Sequence, residues 1–225
     1  MAKAYPQFRS FYSHEAMVEH FLLTPAELHL VLTCRGDTNR CGMALLLKTL
    51  SHLGYVPDPM PHIPDEVRAF VAGQIGLLWD CSDGYAWNGS TRDYHLAQIR
   101  QQTGWRFPTA REKDELETWL RTQGAIDAHT ADALFDVACD RLRQERVELP
   151  AEGELQRMVH SALNGFFQDL HHRLAEALTA EDRTAIEGLL VVPEAATVSG
   201  FEALKASPGK PGVANFQGVS SFLCN

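Results

Sequence analysis

The stretch CRGDTNRCGMALLLKTLSHLG, residues 34–54, joins a polar turn flanked by two arginines to an apolar run at helical spacing. Met43, Leu46, Leu47, Leu50 and Leu53 recur at three- and four-residue steps, the period of one helix face. Asp37 stands where a carboxylate can cap a first turn, and Gly54 offers the left-handed stop that ends many helices. The stretch therefore predicts one complete helix over 37–53. Arg35 and Arg40 bracket its start, where free backbone amides and cationic side chains together can hold a phosphate. The competing reading leaves both arginines in solvent at a helix end, or paired with Asp37.

Outward from this helix, start signals recur along the chain and predict an all-α fold. Thr24-Pro25-Ala26-Glu27 is a capping box with proline at the first helical position, and Leu28, Leu30, Val31 and Leu32 follow as a buried face. After the proline-rich YVPDPMPHIPDE, Pro64 opens a helix carrying Val67, Phe70, Val71 and Ile75, which ends near Gly76. The aromatic, turn-rich WDCSDGYAWNGS, residues 79–90, reads as a connection between two helical subdomains. Thr91 then caps a helix running to Gly104, and Thr109-Ala110-Arg111-Glu112 is a second capping box. Thr130 starts another helix, residues 152–178 form one long helix or two, and Thr179-Ala180-Glu181-Asp182 caps a last one ending near Leu190. No period-2 strand set and no internal repeat is present. The organisation expected is a helical subdomain over 1–78, a second over 79–148, a helical connecting region over 149–192, and an irregular tail over 193–225.

Composition narrows the function. With 225 residues and 45% hydrophobic content the chain can fold into one large or two small domains. It lacks an apolar run of roughly 18 residues and a secretory signal, so a cytoplasmic protein without a membrane partner is expected. The cysteines at 34, 41, 81, 139 and 224 show no Cys-x-x-Cys spacing and read as reduced thiols. The net charge of −9 argues against a general polyanion binder, but residues 1–110 are nearly neutral and the acidic excess lies in 111–225. A phosphate-contacting surface is therefore expected in the first half.

Chemistry-bearing motifs are scarce. Asp169, His171 and His172 form the best local ligand cluster, but adjacent helical histidines point about 100 degrees apart, so no metal site is expected. Glu112, Asp114, Glu115 and Glu117 read as a solvated helix start, favoured by the helix dipole. There is no glycine-rich phosphate loop, nucleophile elbow or His-Glu-x-x-His motif, hence no cofactor and no independent enzyme.

Three segments taken in order carry a resemblance: FLLTPAELHLVLTCRGDTNRCGMALLLKTLSHLGYVPD, then FVAGQIGL, then YAWNGSTRDYHLAQIRQQTGWR. Together they resemble the N-terminal region of the replicative, cointegrate-forming transposases of the Tn-three family, over roughly residues 6–210. The resemblance implies a helical region that binds double-stranded DNA at transposon terminal inverted repeats. It also implies that strand-transfer chemistry belongs to a ribonuclease-H-like domain further along, beyond this chain. Where the family usually shows a basic Gly-Arg-Thr-Arg-Arg-Arg-His run, this chain has Gly89-Ser90-Thr91-Arg92-Asp93-Tyr94-His95. Each cation lost with a phosphate contact weakens binding by on the order of 1 kcal/mol at moderate salt. The end of the chain after Pro211 also departs from the family, as a truncated or frame-shifted gene would.

The DNA-binding candidates follow from this. In the first subdomain they are Arg35, Asn39, Arg40 and Lys48, with Gln74 as a weaker member; the alternative leaves Lys48 in solvent. In the second they are Arg92, His95, Arg100 and Arg106, with Gln98 and Gln102 facing the same groove. Tyr94, Leu96, Ile99 and Trp105 would pack or stack. A rival reading makes residues 150–190 a helical interaction segment that pairs with an intact transposase or a second copy, and a third makes the chain an inactive remnant.

Overall fold

A computed structural model describes residues 5–60, 62–128, 130–192 and 197–205. The fold is all-α: the described residues form helices and turns, with one isolated bridge between Arg106 and Val147 and no sheet. None of these helices is long and apolar enough to cross a membrane. The helices are α1 (His14–Phe21), α2 (Pro25–Leu32), α3 (Asp37–Leu53), α4 (Asp65–Gln74), α5 (Ser90–Thr103) and α6 (Ala110–Trp119), followed by α7 (Ala125–Asp127), α8 (Ala131–Gln144), α9 (Glu152–Ala177), α10 (Ala180–Leu190) and α11 (Gly200–Leu204).

The capping chemistry expected at Thr24, Thr109 and Thr179 is present, each box closed by Glu27, Glu112 and Asp182 in turn. Two expected caps differ. The residue before α3 is Gly36, and Asp37 lies inside the helix with its carboxylate on Arg40 rather than on the backbone. Likewise Gly89, not Thr91, precedes α5. Both glycines hold a positive φ, of 85° and 101°, which swings the chain into the helix and leaves no side-chain oxygen for the first-turn amides. α1, which the sequence reading did not mark, begins at Ser13, whose hydroxyl accepts from the Ala16 amide at 3.2 Å.

α3 organises the first core. Every residue from Cys41 to Leu50 is buried, because α1, α2, α4 and α5 all pack on it. A helix covered on all sides is the centre of a bundle, not an amphipathic wall with one wet face. Gly42 permits this enclosure: a Cβ there would fall inside the ring of Tyr85. The short 3-10 turn Trp79–Ser82 also packs on α3, and a disulfide joins Cys41 to Cys81, with Cα atoms 6.1 Å apart. This corrects the expectation of reduced thiols at those two positions. The pair is separated by 40 residues and is brought within bonding reach only by tertiary packing.

This core runs from Tyr12 to Trp105 and includes Leu96 and Ile99 of α5. The expected subdomain boundary at 78/79 thus falls inside one hydrophobic cluster. The second cluster gathers Leu116, Leu120, Leu134, Phe135, Leu142 and Leu155, among others, from α6, α8 and the start of α9. A π-turn over Leu120–Gly124 extends α6. The segment 145–150 ties the two clusters together: the Leu149 amide donates to the Gly54 carbonyl at 2.9 Å, and Glu148 holds Arg100. The chain divides into two compact units at Gln168/Asp169. Within the second unit α10 packs against α11, a short helix in the segment expected to be irregular. The remaining tail residues, 193–196 and 206–225, lie outside the described residues.

Candidate nucleic-acid interface

The first turns of α3 and α5 open onto one cleft of about 530 Å³. Arg35 and Asn39 stand on one side, and Thr91, Tyr94 and Gln98 on the other. Arg35 is exposed and has no ion-pair partner among the described residues, while Asn39 donates to the Arg35 carbonyl at 3.0 Å and so steadies the turn. Tyr94 is 62% exposed, a flat aromatic face directed to solvent at a polar cleft. Because both helices start at glycines without a side-chain cap, their first-turn amides are left for an external acceptor. A second hollow of about 420 Å³ shares Thr33 and Gln98 with the first and continues to Gln102 and Arg146. Thr33 and Arg146 were not singled out from sequence. Arg146 reaches the surface there from a left-handed turn at φ 55°, which no sequence spacing announces.

The remaining candidates do not gather at this cleft. Lys48 is buried, and its ammonium lies 2.7 Å from Glu27. Glu27 also accepts from the Thr24 amide, so the lysine charge is spent locking α3 to the capped start of α2. This removes Lys48 from a surface-facing set: the face it shares with Arg40 is covered by α2. Arg40 donates to the Cys34 carbonyl at 3.0 Å and pairs with Asp37 at 3.2 Å, the competing reading of that residue. Gln74 bonds the Leu23 amide and the Phe21 and Phe70 carbonyls, a tie between α1 and α4.

In α5, His95 is buried, with its Nδ1 2.8 Å from the Tyr85 hydroxyl and its Nε2 3.7 Å from the Cys34 thiol. Burial holds the imidazole below its ordinary pKa, favouring the neutral ring. It also pushes the Cys34 thiol up, opposed by the nearby Arg40 guanidinium. Arg92 is only 12% exposed, with Asp93 at 3.6 Å and its Nε buried without a partner among the described residues. Arg100 makes a forked pair with the buried Glu148 at 2.5 and 3.1 Å and lies over the Phe107 ring. Arg106, half exposed, is drawn to Glu112 at 2.6 Å and to the Glu145 carbonyl. That contact and the Thr109 cap hold the Glu112 carboxyl down at about 2, with the Thr109 backbone bond the largest influence. Arg100 and Arg106 are therefore engaged in tying elements together, Arg40 and Arg92 lie against groups of their own turn or helix, and Arg35 is the candidate cation presented openly at the cleft.

Comparison with known proteins places this sequence among relatives. Residues 1–162 match the family model described as "Domain of unknown function (DUF4158)". The transposase for transposon Tn1546 of Enterococcus faecium is 28% identical over 201 residues, covering 88% of this chain and 20% of the relative. The transposase for transposon gamma-delta of Escherichia coli (strain K12) is 28% identical over 197 residues, covering 85% and 19% respectively. The transposase for transposon Tn501 of Pseudomonas aeruginosa is 25% identical, covering 88% and 20%. The chain thus spans about a fifth of the length of the curated relatives it matches. On the family match over most of its length, this chain belongs to the DUF4158 family and is related to the transposases of the Tn-three family.

Proposed function

We propose that this chain binds duplex DNA at the terminal inverted repeats of a transposon, as part of a transposase, through the cleft where α3 and α5 begin. The observation carrying this reading is the convergence of two uncapped helix starts with Arg35, Asn39, Tyr94 and Gln98. Free first-turn amides and Arg35 supply a phosphate clamp, whose attraction depends on salt rather than on sequence. Gln98 and Asn39 carry the paired donor and acceptor that match an adenine edge, and Tyr94 offers a stacking face. Asp37 and Asp93, one in each first turn, temper the positive potential and keep affinity modest. No strand-transfer step is assigned to these residues.

A second reading is favoured by a separate feature. α10 buries none of its side chains, and Leu174, Ile186, Leu190, Val191 and Phe201 are exposed within the second unit. Exposed apolar side chains of this kind suit helix pairing with a transposase or another copy.

Fluorescence-anisotropy titration against an inverted repeat and a scrambled duplex, at two salt concentrations, tests the DNA reading. Preference for the repeat by roughly a thousandfold is the expected result. Arg35→Ala should weaken both duplexes and lower the salt slope by about 0.9, the share of one phosphate contact. Gln98→Ala should instead reduce the preference alone, by about 1–3 kcal/mol. Equal and weak binding to both duplexes, unaltered by Arg35→Ala, would sink the DNA reading in favour of helix pairing.

A further inference from the structure

Three soft donor side chains meet at the floor of the same cleft. The Cys34 thiol, in the α2–α3 turn, lies 3.0 Å from the Met43 thioether sulfur and 3.7 Å from His95 Nε2. All three line the cavity, so the group is reachable from solvent although Met43 and His95 are buried. The His95 ring is fixed from behind: its Nδ1 meets the Tyr85 hydroxyl at 2.8 Å, and the two rings stack with centroids 5.7 Å apart. In the tautomer whose Nδ1–H donates to the phenol oxygen, the Nε2 lone pair is the one that faces Cys34. This is the arrangement in which an outer hydrogen bond sets the tautomer and aim of a ligating imidazole.

We propose that Cys34, Met43 and His95 form a binding site for a soft monovalent metal ion of the copper(I) class. Thiolate, thioether and imidazole are the donors that class selects, and hard cations such as magnesium or calcium find no oxygen cage among them. The Cys34–His95 spacing suits trigonal coordination. With metal–sulfur and metal–nitrogen bonds of about 2.3 and 2.0 Å, a trigonal centre separates sulfur from nitrogen by about 3.7 Å. The thioether stands closer to the thiol than such a centre allows and must swing outward by about 1 Å, a movement within reach of an unbranched side chain. Among the described residues no group of three or more His, Cys, Asp and Glu can hold a metal, and it is the methionine that completes this one. Binding exchanges the thiol proton for the metal: the sulfur–hydrogen bond breaks, a sulfur–metal bond forms, and one proton leaves to solvent. The Cys41–Cys81 disulfide takes no part and needs no reduction. The site does not depend on the chain binding DNA, although the ion would sit beneath Arg35 and Tyr94.

Silver(I) is a redox-inert probe of this site that leaves the disulfide oxidised. The purified chain, in chloride-free buffer, is titrated with silver nitrate while His95 Nε2 and the Met43 methyl carbon are followed by NMR. One equivalent should shift both signals together. Cys34→Ser should abolish that first equivalent, and Tyr85→Phe should weaken it by about 10- to 100-fold while leaving the stoichiometry at one. Cys34 is only half buried, so its variant retains the fold, checked by an unchanged circular dichroism spectrum. If silver moves neither signal, or if Cys34→Ser binds the first equivalent as before, the site does not exist. Since the readouts are spectroscopic and contain no DNA, their failure is distinct from failure of the proposed DNA binding.

Discussion

Gly42 lacks a side chain because Tyr85 occupies the space one would need, and the ring position it secures is the one that meets His95. Gly42→Ala is therefore an overpacking change in a closed core, expected to cost about 1–3 kcal/mol and to displace Tyr85. Urea midpoints of the two proteins measure the loss, and a change in the tyrosine near-ultraviolet signal reports the displaced ring. An unaltered midpoint would show that the α3–Tyr85 contact is looser than described. The same scale explains why charged residues misled the sequence reading. Lys48 and Arg100 look like free cations in the chain, yet their nearest neighbours in space are Glu27 and Glu148, 21 and 48 residues away. The exposure of Arg35 was legible because its setting, the turn before a helix, is local.

Helix boundaries were the most readable elements, since caps and stops depend on a few adjacent residues. α3 ends at Gly54 with φ 81°, and α5 ends at Gly104 with φ 80°, both the left-handed stops the sequence marks. What the elements pack against was less readable. α5 was assigned to a second subdomain because a turn-rich segment precedes it, but Leu96 and Ile99 bury against α3. The forked Arg100–Glu148 pair then anchors α5 to the segment between the two clusters. Glu148 is nearly fully buried, so Arg100→Ala leaves a carboxylate without its counter-charge and should destabilise the first unit by about 3 kcal/mol. Replacing both residues by methionine should cost less, because no buried charge remains unpaired. Chemical denaturation of the two variants decides the point: if the double replacement is as damaging as the single one, packing rather than charge accounts for the effect.

At the scale of the molecule, the end of α3 holds a pH-sensitive contact. His52 lies against Phe21 and His20, bonds the Tyr12 hydroxyl at 2.9 Å, and is lowered from 6.5 to about 4, first by burial and then by His20, Arg143 and Arg9. The folded state resists protonating this ring, whereas the unfolded chain takes the proton near 6.5. The contribution is fully present above about pH 6.5, declines as pH falls toward 4, and levels off below, with at most about 3 kcal/mol at stake. Urea unfolding at pH 7.5 and at pH 4.5 should show the loss, and His52→Gln should flatten the difference. Equal pH dependence in the two proteins would move the effect to other groups.

The sequence by itself determined the helical class, most of the helix starts and stops, and the family, because each rests on local periodicity, capping chemistry or motif order along the chain. The burial of α3 on every side, the Cys41–Cys81 bond, the neutralisation of Lys48 and Arg100, and the joining of the α3 and α5 starts into one cleft were decided only in three dimensions. Each depends on partners tens of residues away, and nothing in a linear pattern fixes which side chains will share a core.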